Sequence, residues 1–488
     1  MGKVYLIGVG PYDEELITLK ALKALEKCNV VLYDRLVNKD ILNFLKDDCK
    51  IFFCGKESGC HYKTQDEIND MLVKFAKKGD IVGRIKGGDP YVFGRGGEEA
   101  LRLKEENIEF EVIPGISSAI AALNYAGVPI THRGISQSFH VFTGHSANAL
   151  SYDWKVISKL NGTLVFLMGL ENIEYIIKNL LKHGINPLTL CAVISKGTSA
   201  RQKVVVSEVA NIIDKLKEEK LSSPALIVIG EVVNLREKLN WFEKKPLFGK
   251  KICITRPKGQ NEELKQKFLE LGAEVVETHV LKIKSLEENL KNYIEDLKKA
   301  DYVLFTSVNA VNIFFNYLVK LRFDIRNIKA IFACIGEKTE KELIKRGIVP
   351  EIVPEQFIAE DLYEKLSHRI KEKDLVIIPR SLNARPFLKE ALEGKCKVIE
   401  IPIYKVEEIY SHNIPLDDID YFTFTSPSIV RTFIKNYGKD YLMGKKVVAI
   451  GPITSNELLN NGIPNYVAEK YTIQGIVEKI LKLEGYDV

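Results

Sequence analysis

No run of about 18 apolar residues occurs in this chain, so no segment reads as a membrane-spanning helix. The opening stretch, MGKVYLIGVGPYDEELITLKAL, enters a strand at once. Its apolar part is too short and too soon interrupted for a signal peptide, and a cytoplasmic protein is expected. None of the eight cysteines is spaced C-x-x-C. Cys54, Cys60 and His61 form the only cluster, its spacing fits no zinc pattern, and reduced thiols without a metal are expected. An excess of one charge sign is also lacking: 70 basic residues face 65 acidic ones, for a net charge of +5. That balance gives no argument for a nucleic-acid partner, although a mild positive excess suits anionic small molecules.

What remains is an ordinary globular composition, 46% hydrophobic and 28% charged, in 488 residues, enough for three or four domains. Short β-branched runs alternate with longer amphipathic stretches. VYLIGVG (4–10), VVLYDRL (30–36), DIVGRIKG (80–87), TLVFLMG (163–169) and ALIVIGEV (225–232) read as strands. DEELITLKALKALEK (13–27) and TQDEINDMLVKFAKKG (64–79) read as helices. The alternation predicts an α/β protein with mostly parallel, buried sheets. The clearest boundary is WFEKKPLFGK (241–250), whose lysines, proline and glycine have the composition of a linker before the fresh strand KICITRP (251–257). A softer boundary divides the first half near 139–143, giving subdomains of about 1–138 and 139–240.

The second half is internally duplicated. DYVLFTSVNAVNIF (301–314) matches DYFTFTSPSIVRTF (420–433), CIGEKTEKELIKRGIVPEIVPE (334–355) matches AIGPITSNELLNNGIPNYVAEK (449–470), and 251–277 matches 374–400 more weakly. The order of the copies predicts two similar lobes within 251–488. One lobe (285–402) is inserted into the other (251–283 plus 407–488), and two short crossings near 281–285 and 401–406 make a hinged cleft.

In the first half, Gly8, Gly10 and Pro11 follow the first strand. A dinucleotide fingerprint would need a third glycine where Asp13 stands, and Pro11 removes an N–H that a pyrophosphate would want. A ligand without phosphates, approached closely by glycine backbone, fits better. RIKGGDPYVFGRGGEE (84–99) is the densest motif: Gly87 and Gly88 end a strand, Asp89-Pro90 starts a turn, and Arg95 lies between glycines on a loop. Glu98 and Glu99 enter the next helix's first turn, where negative charge is favoured.

These segments, with Tyr33-Asp34-Arg35-Leu36-Val37, Pro114-Gly-Ile-Ser-Ser118, Pro129-Ile-Thr-His-Arg133 and Met168-Gly169, resemble the tetrapyrrole methylase family over residues 1–240, most closely its uroporphyrinogen-III C-methyltransferases. The resemblance implies two α/β domains around S-adenosylmethionine, lined by Pro11, Gly87, Gly88, Asp89, Val92, Ser117, Ser118, Met168 and Ala225. It sets Arg35, Arg95, Glu98 and Arg133 toward a tetrapyrrole, and implies a homodimer for this half. Arginine forks suit the eight carboxylates of uroporphyrinogen. Methyl transfer to carbon also needs loss of a proton, for which Glu98 is the chemically easier base and Arg95 the harder one. Tyr12 departs from the family's usual glycine, and Glu57-Ser58 replace a commonly basic position.

In the second half no nucleophile–base pair, metal cluster or phosphate loop stands out. Small hydroxyl residues recur at the strand ends: Thr255, Thr306-Ser307, Thr425-Ser426 and Thr454. Helix N-capping explains each singly, and together they would ring a cleft with anion-friendly donors. I-T-R-P, F-T-S-x-N-A-V, I-G-E-K-T, V-P-E-x-F, Ile401-Pro-Ile-Tyr404, F-T-S-P-S and I-G-P-I-T, followed by Tyr471-Thr472 and Gly475, resemble uroporphyrinogen-III synthase. His279-Val280 departs where a proline often precedes the first crossing.

This resemblance implies a cofactor-free closure of hydroxymethylbilane through an azafulvene and a spiro intermediate. It makes Tyr404 the candidate for assisting hydroxyl departure and Thr306, Ser426 and Thr454 the candidates for donating to substrate carboxylates. Arg256, Arg380 and Arg385 would add charge. The combined expectation is a bifunctional enzyme that makes uroporphyrinogen III and methylates it at C2 and C7 to precorrin-2, with the sirohaem or cobalamin destination open. The alternative is another methylase of this family fused to a bilobal binding module.

Overall fold

The computed structural model describes residues 2–46, 48–55, 63–145, 152–257, 260–355, 359–409, 416 and 418–487. Cys60, His61, Glu57, Ser58 and the phenylalanine of V-P-E-x-F lie outside the described residues. Two compact units divide the chain. The first comprises Met1–Ile252, Gln266–Val275 and Ile480–Val488, and the second Cys253–Lys265 and Val276–Lys479. Among the described residues no helix is long and apolar enough to cross a membrane.

The first unit begins with β1 (Lys3–Gly8), β2 (Val30–Tyr33), β3 (Lys50–Phe53), β4 (Ile81–Lys86) and β5 (Glu109–Ile113). They form one sheet of order β3-β2-β4-β1-β5, parallel throughout. Alternate residues of β1 feed separate cores: Val4 and Leu6 pack with Ile68, Leu72 and Leu103, while Tyr5 and Ile7 pack with Ala21 and Leu25. A sheet buried on both faces reads as a continuous apolar run, which is why these strands stand out in the sequence.

The first helical stretch is shorter than its periodicity predicts. A 3-10 turn (Glu14–Leu16) precedes the helix Leu19–Leu25, because Thr18 accepts a hydrogen bond from Ala21 N–H and restarts the helix as its N-cap. The helix Gln65–Lys77 carries a full capping box between Thr64 and Glu67.

The second sheet holds β6 (Phe139–Thr143), β7 (Thr163–Leu167), β8 (Leu190–Ser195), β9 (Lys203–Glu208) and β10 (Ala225–Ile229) in the order β6-β7-β10-β8-β9. Here the expectation of parallel strands fails. β6 and β7 are parallel, but β7–β10, β10–β8 and β8–β9 are antiparallel. β8 returns directly as β9 through a short loop, and a loop that short can join only antiparallel neighbours. The helix Ser118–Tyr125 packs on this sheet, with Ala119, Ala122 and Leu123 against Val165 and Leu226.

The segment 241–250 has linker composition but is not an exposed tether. Phe242 and Leu247 are buried, and the Phe242 ring packs tilted against Tyr125 with ring centroids 4.7 Å apart. Three aromatic side chains in that stretch outweigh its lysines, proline and glycine.

Two further sheets follow in the chain. Their strands are β11 (Lys251–Ile254), β12 (Glu274–Glu277), β13 (Leu281–Ser285), β14 (Tyr302–Phe305), β15 (Ile331–Cys334), β16 (Leu375–Ser381), β17 (Lys397–Glu408), β18 (Tyr421–Phe424), β19 (Lys446–Ala449) and β20 (Tyr466–Val467). The sheet orders are β12-β11-β18-β19-β20 and β13-β17-β16-β14-β15. β13 and the end of β17 pair antiparallel, Leu281 opposite Glu408 and Ser285 opposite Tyr404, so the chain's outward and return crossings form one ribbon.

The duplication is visible in backbone angles. Ser307 (φ −161°, ψ 151°) and Ser426 (φ −161°, ψ 155°) cap the equivalent helices Val308–Lys320 and Pro427–Tyr437.

Candidate functional site

β1 and β4 are neighbours with Gly8 opposite Lys86, so the loops that follow them leave side by side. Gly10 and Gly88 exchange two backbone hydrogen bonds, 3.2 Å and 2.6 Å. The Pro114–Ser118 segment closes on both loops: Asp89 Oδ2 accepts Gly115 N–H at 3.1 Å, and Asp89 Oδ1 accepts Tyr91 N–H at 2.8 Å. Contact is through bare backbone. A Cβ at Gly115 would lie 2.1 Å from the Gly88 carbonyl oxygen, and Gly88 itself has φ +71°. No other residue permits that approach, so three strand ends and glycine build one cradle.

Pro11, Gly87, Gly88 and Asp89 lie on these converging loops, and Ser117 caps the helix Ser118–Tyr125 beside them. Val92 is exposed on the next turn. Met168 is exposed at φ +56° directly after β7, and the β7–β10 register puts Ala225 at the adjoining strand end. Arg35 and Arg133 are exposed. Arg95 sits in the left-handed region at φ +59°, and its Nε and Nη2 donate to Glu98 Oε1 and Oε2 at 2.9 Å and 2.7 Å. That hydrogen bonding holds the Glu98 carboxyl below the usual carboxylate range. Paired in this way, Glu98 is a weaker base than an isolated glutamate.

The adjacent glutamate is the one the fold buries. Glu99 lies on the inward stripe Gly96, Glu99, Ala100 and Leu103 of the helix Gly96–Glu105. Its Oε1 accepts from Arg84 Nε (2.9 Å), Lys86 Nζ (2.9 Å) and Gln65 Nε2 (3.2 Å). Arg84 Nη2 also reaches both oxygens of Asp34 at 2.8 Å and 2.7 Å. Burial works against the charge on Glu99, yet the two cations hold its carboxyl below the usual range. Burial and the like charge of Arg84 push the Lys86 ammonium down. The network ties the Tyr33-Asp34-Arg35 segment to the glycine cradle. The sequence marks Glu99 only as an acid in a helix's first turn and gives Asp34, Gln65, Arg84 and Lys86 no individual role. The signal was a glutamate on an apolar helical stripe and basic residues two apart on a buried strand.

In the second unit, a cavity of about 460 Å³ is lined by residues that include Arg256, Asn309, Tyr404, Thr425, Ser426 and Thr472. A second cavity of about 620 Å³ shares Leu281, Tyr404, Val406 and Ser428 with it. Tyr404 therefore borders both, and its hydroxyl lies 3.0 Å from Ser307 Oγ. Ser426 Oγ accepts Ile429 N–H at 3.4 Å and lies 3.0 Å from Ser428 Oγ.

Two of the expected donors lie away from these cavities. Thr306 and Thr454 line neither cavity, and Thr454 is buried in the helix Pro452–Asn460. The helix that Thr454 enters turns its side chain inward, whereas Thr425 and Thr472 stand on the wall of the first cavity. Arg380 is also not available to a ligand. It is buried, paired with the Glu400 carboxylate, and donates to the Arg385 carbonyl at 2.6 Å. Arg256 stays on the cavity wall, with burial lowering its guanidinium pKa from the ordinary value.

These features define a two-part α/β protein, one part with a glycine cradle over buried charge and the other with adjoining cavities walled by hydroxyls and a tyrosine. Residues 3–213 match the family of tetrapyrrole (corrin/porphyrin) methylases, and residues 262–478 match uroporphyrinogen-III synthase HemD. Over 499 residues the chain is 36% identical to the porphyrin biosynthesis protein HemD of Ruminiclostridium josui, covering 100% of this chain and 99% of that protein. It is 51% identical over 236 residues to the uroporphyrinogen-III C-methyltransferase of Priestia megaterium, covering 48% of this chain and 99% of that one. The corresponding methyltransferase of Methanocaldococcus jannaschii is 49% identical over 239 residues, covering 48% of this chain and 98% of its own. The chain belongs to the family in which a tetrapyrrole methylase is fused to a uroporphyrinogen-III synthase.

Proposed function

We propose that residues of the second unit close hydroxymethylbilane to uroporphyrinogen III, and that those of the first methylate it at C2 and C7 with S-adenosylmethionine to give precorrin-2. The observation that carries this reading is the cradle of Gly8, Gly88 and Gly115, which only bare backbone can form. It suits a donor without phosphates, since Pro11 offers no N–H and both Asp89 oxygens already accept backbone N–H groups. Pro11, Gly87, Gly88, Asp89, Val92, Ser117, Ser118, Met168 and Ala225 would hold that donor. Bound there, S-adenosylmethionine supplies an electrophilic methyl group.

Arg35, Arg95 and Arg133 meet the carboxylates of the substrate through guanidinium forks. When a substrate carboxylate engages Arg95, Glu98 loses the hydrogen bonds that depress its pKa and becomes the stronger base. The pairing in the free protein thus keeps the base unready until substrate arrives.

In the second unit, Tyr404 assists departure of the bilane hydroxyl, with Ser307 fixing the direction of its phenol. Ser426 and Arg256 take side-chain carboxylates, and Thr425 and Thr472 join them from the same wall. This chemistry asks the protein mainly to fold a flexible chain and to exclude closure to the wrong isomer.

Mass and isomer analysis of products from hydroxymethylbilane tests both halves. The dimethylated macrocycle is expected only with S-adenosylmethionine, and the unmethylated type III macrocycle without it. An isomer ratio unchanged from spontaneous closure would leave the second unit a binding module.

A further inference from the structure

One hydroxyl takes both backbone amides at the turn of the donor loop, whose Tyr12 carbonyl and Asp13 carboxylate are also held by Asn38 Nδ2 (2.9 Å) and the Tyr125 hydroxyl (2.7 Å). Thr198 Oγ1 accepts both Tyr12 N–H (3.1 Å) and Asp13 N–H (3.3 Å), residues nearly 190 positions earlier in the chain. Thr198 is 3% exposed and has φ +69°. A β-branched residue in the left-handed region is strained, and glycine would sit there without cost. In that strained conformation the threonine hydroxyl is in use, accepting both amides.

The surroundings hold that strained conformation in place. Thr198 N–H donates to Gln202 Oε1 at 3.1 Å, and Gln202 Nε2 donates in turn to Glu243 Oε1 at 2.8 Å and to the Tyr125 carbonyl at 3.2 Å. Lys196 N–H donates to the Pro224 carbonyl at 2.8 Å, next to Ala225. A Cβ at Gly197 would lie 2.5 Å from Ala122 Cβ, on the helix that Ser117 caps. The 196–198 turn thus contacts three elements of the proposed donor site: the Pro11 loop, the Ser117 helix and the Ala225 strand end.

We infer that Thr198 is a positioning residue for the methyl donor: its hydroxyl fixes the Pro11–Asp13 loop against the second sheet and thereby sets donor affinity. The inference rests on the reading of that loop as an S-adenosylmethionine site. It also explains how the chain accepts Tyr12 where relatives are expected to carry glycine. With the amides of residues 12 and 13 pinned, the loop does not depend on glycine's freedom.

The test uses the full chain and its T198G and T198S variants, with S-adenosylhomocysteine affinity measured by calorimetry and melting temperature measured without ligand. Loss of two hydrogen bonds to an ordered loop is expected to weaken binding roughly 10- to 30-fold in T198G. Because glycine suits φ +69°, its ligand-free melting temperature stays within about 2 °C of the parent. T198S, which keeps the hydroxyl, should return affinity to within about threefold, since one methyl group is all it loses. A purely structural threonine would lower melting temperature and affinity together. Unchanged affinity in T198G, or no recovery in T198S, overturns the inference while leaving the donor site standing. Failure of the parent chain to bind S-adenosylhomocysteine overturns both.

Discussion

The two units solve the same recognition problem, a polycarboxylated pyrrole substrate, with opposite materials. In the first, the site rests on buried charge: Arg84, Lys86 and Glu99 are nearly solvent-free, and Asp34 extends the network toward the surface. In the second, the wall of the first cavity carries Tyr404, Thr425, Ser426 and Thr472 beside two separate cations, Arg256 and Lys338, and Ser307 supports Tyr404 from behind. The difference follows from the chemistry proposed for each. Methyl transfer needs a donor and a pyrrole carbon held rigidly in line, so a cross-linked ionic base under the loops is useful. Closing a linear tetrapyrrole needs a surface that accommodates a folding substrate, and hydroxyls adapt their donors where guanidinium forks cannot.

The contrast is broken most severely at Glu99. Replacing it with alanine leaves Arg84 and Lys86 buried with one acceptor fewer, a change that typically costs about 3–5 kcal/mol. Both tryptophans, Trp154 and Trp241, belong to the first unit, so fluorescence-detected urea unfolding reports it selectively. A loss below about 1 kcal/mol would show that the network does not support the site. The pH dependence has a definite sign. The folded pKa of Glu99 is depressed, so its stabilisation is full above the ordinary glutamate value near ~4.3 and fades as pH falls through the lower folded value. The E99A variant should lack that part of the acid sensitivity.

Tyr404→Phe comes next. Removing a general acid from the cavity wall should slow cyclisation roughly 100-fold, while methylation of supplied uroporphyrinogen III is unchanged. Parallel loss of both activities would mean that the two sites are not separate. Unchanged cyclisation would remove the tyrosine from the chemistry.

The unequal materials also explain what the sequence disclosed. Glycine clusters, strand ends and the order of motifs are local, so the cradle at Gly8, Gly88 and Asp89 was legible, as was the duplication that repeats Ser307 as Ser426. The direction of a side chain is not local. Glu98 and Glu99 are neighbours, and only the helix's inward stripe decides that the second is buried. Thr454 and Arg380 carried the right functional groups, yet a helix turn and an ion pair with Glu400 take them away from the cavity. The antiparallel strands of the second sheet escaped notice because apolar runs have no direction. Thr198 escaped because its value lies in a contact with Tyr12 and Asp13 from the far end of the half.

The smallest expected effect gives the sharpest comparison, because the duplication supplies its own control. Ser307 and Ser426 cap equivalent helices with the same backbone geometry, so alanine at either should cost about 1 kcal/mol of stability. Only Ser307 also meets the Tyr404 hydroxyl, and only Ser426 lines the first cavity. Their kinetic signatures should therefore divide. Ser307→Ala should lower kcat for cyclisation by about three- to tenfold with little change in KM, as expected for a lost hydrogen bond felt in the reacting state. Ser426→Ala should raise KM and leave kcat nearly alone. The double variant Ser307→Ala with Tyr404→Phe should be no slower than Tyr404→Phe by itself, because the serine is proposed to act through the phenol. Additive losses would show that Ser307 acts on the substrate directly, and identical profiles for the two serines would reduce both to helix caps.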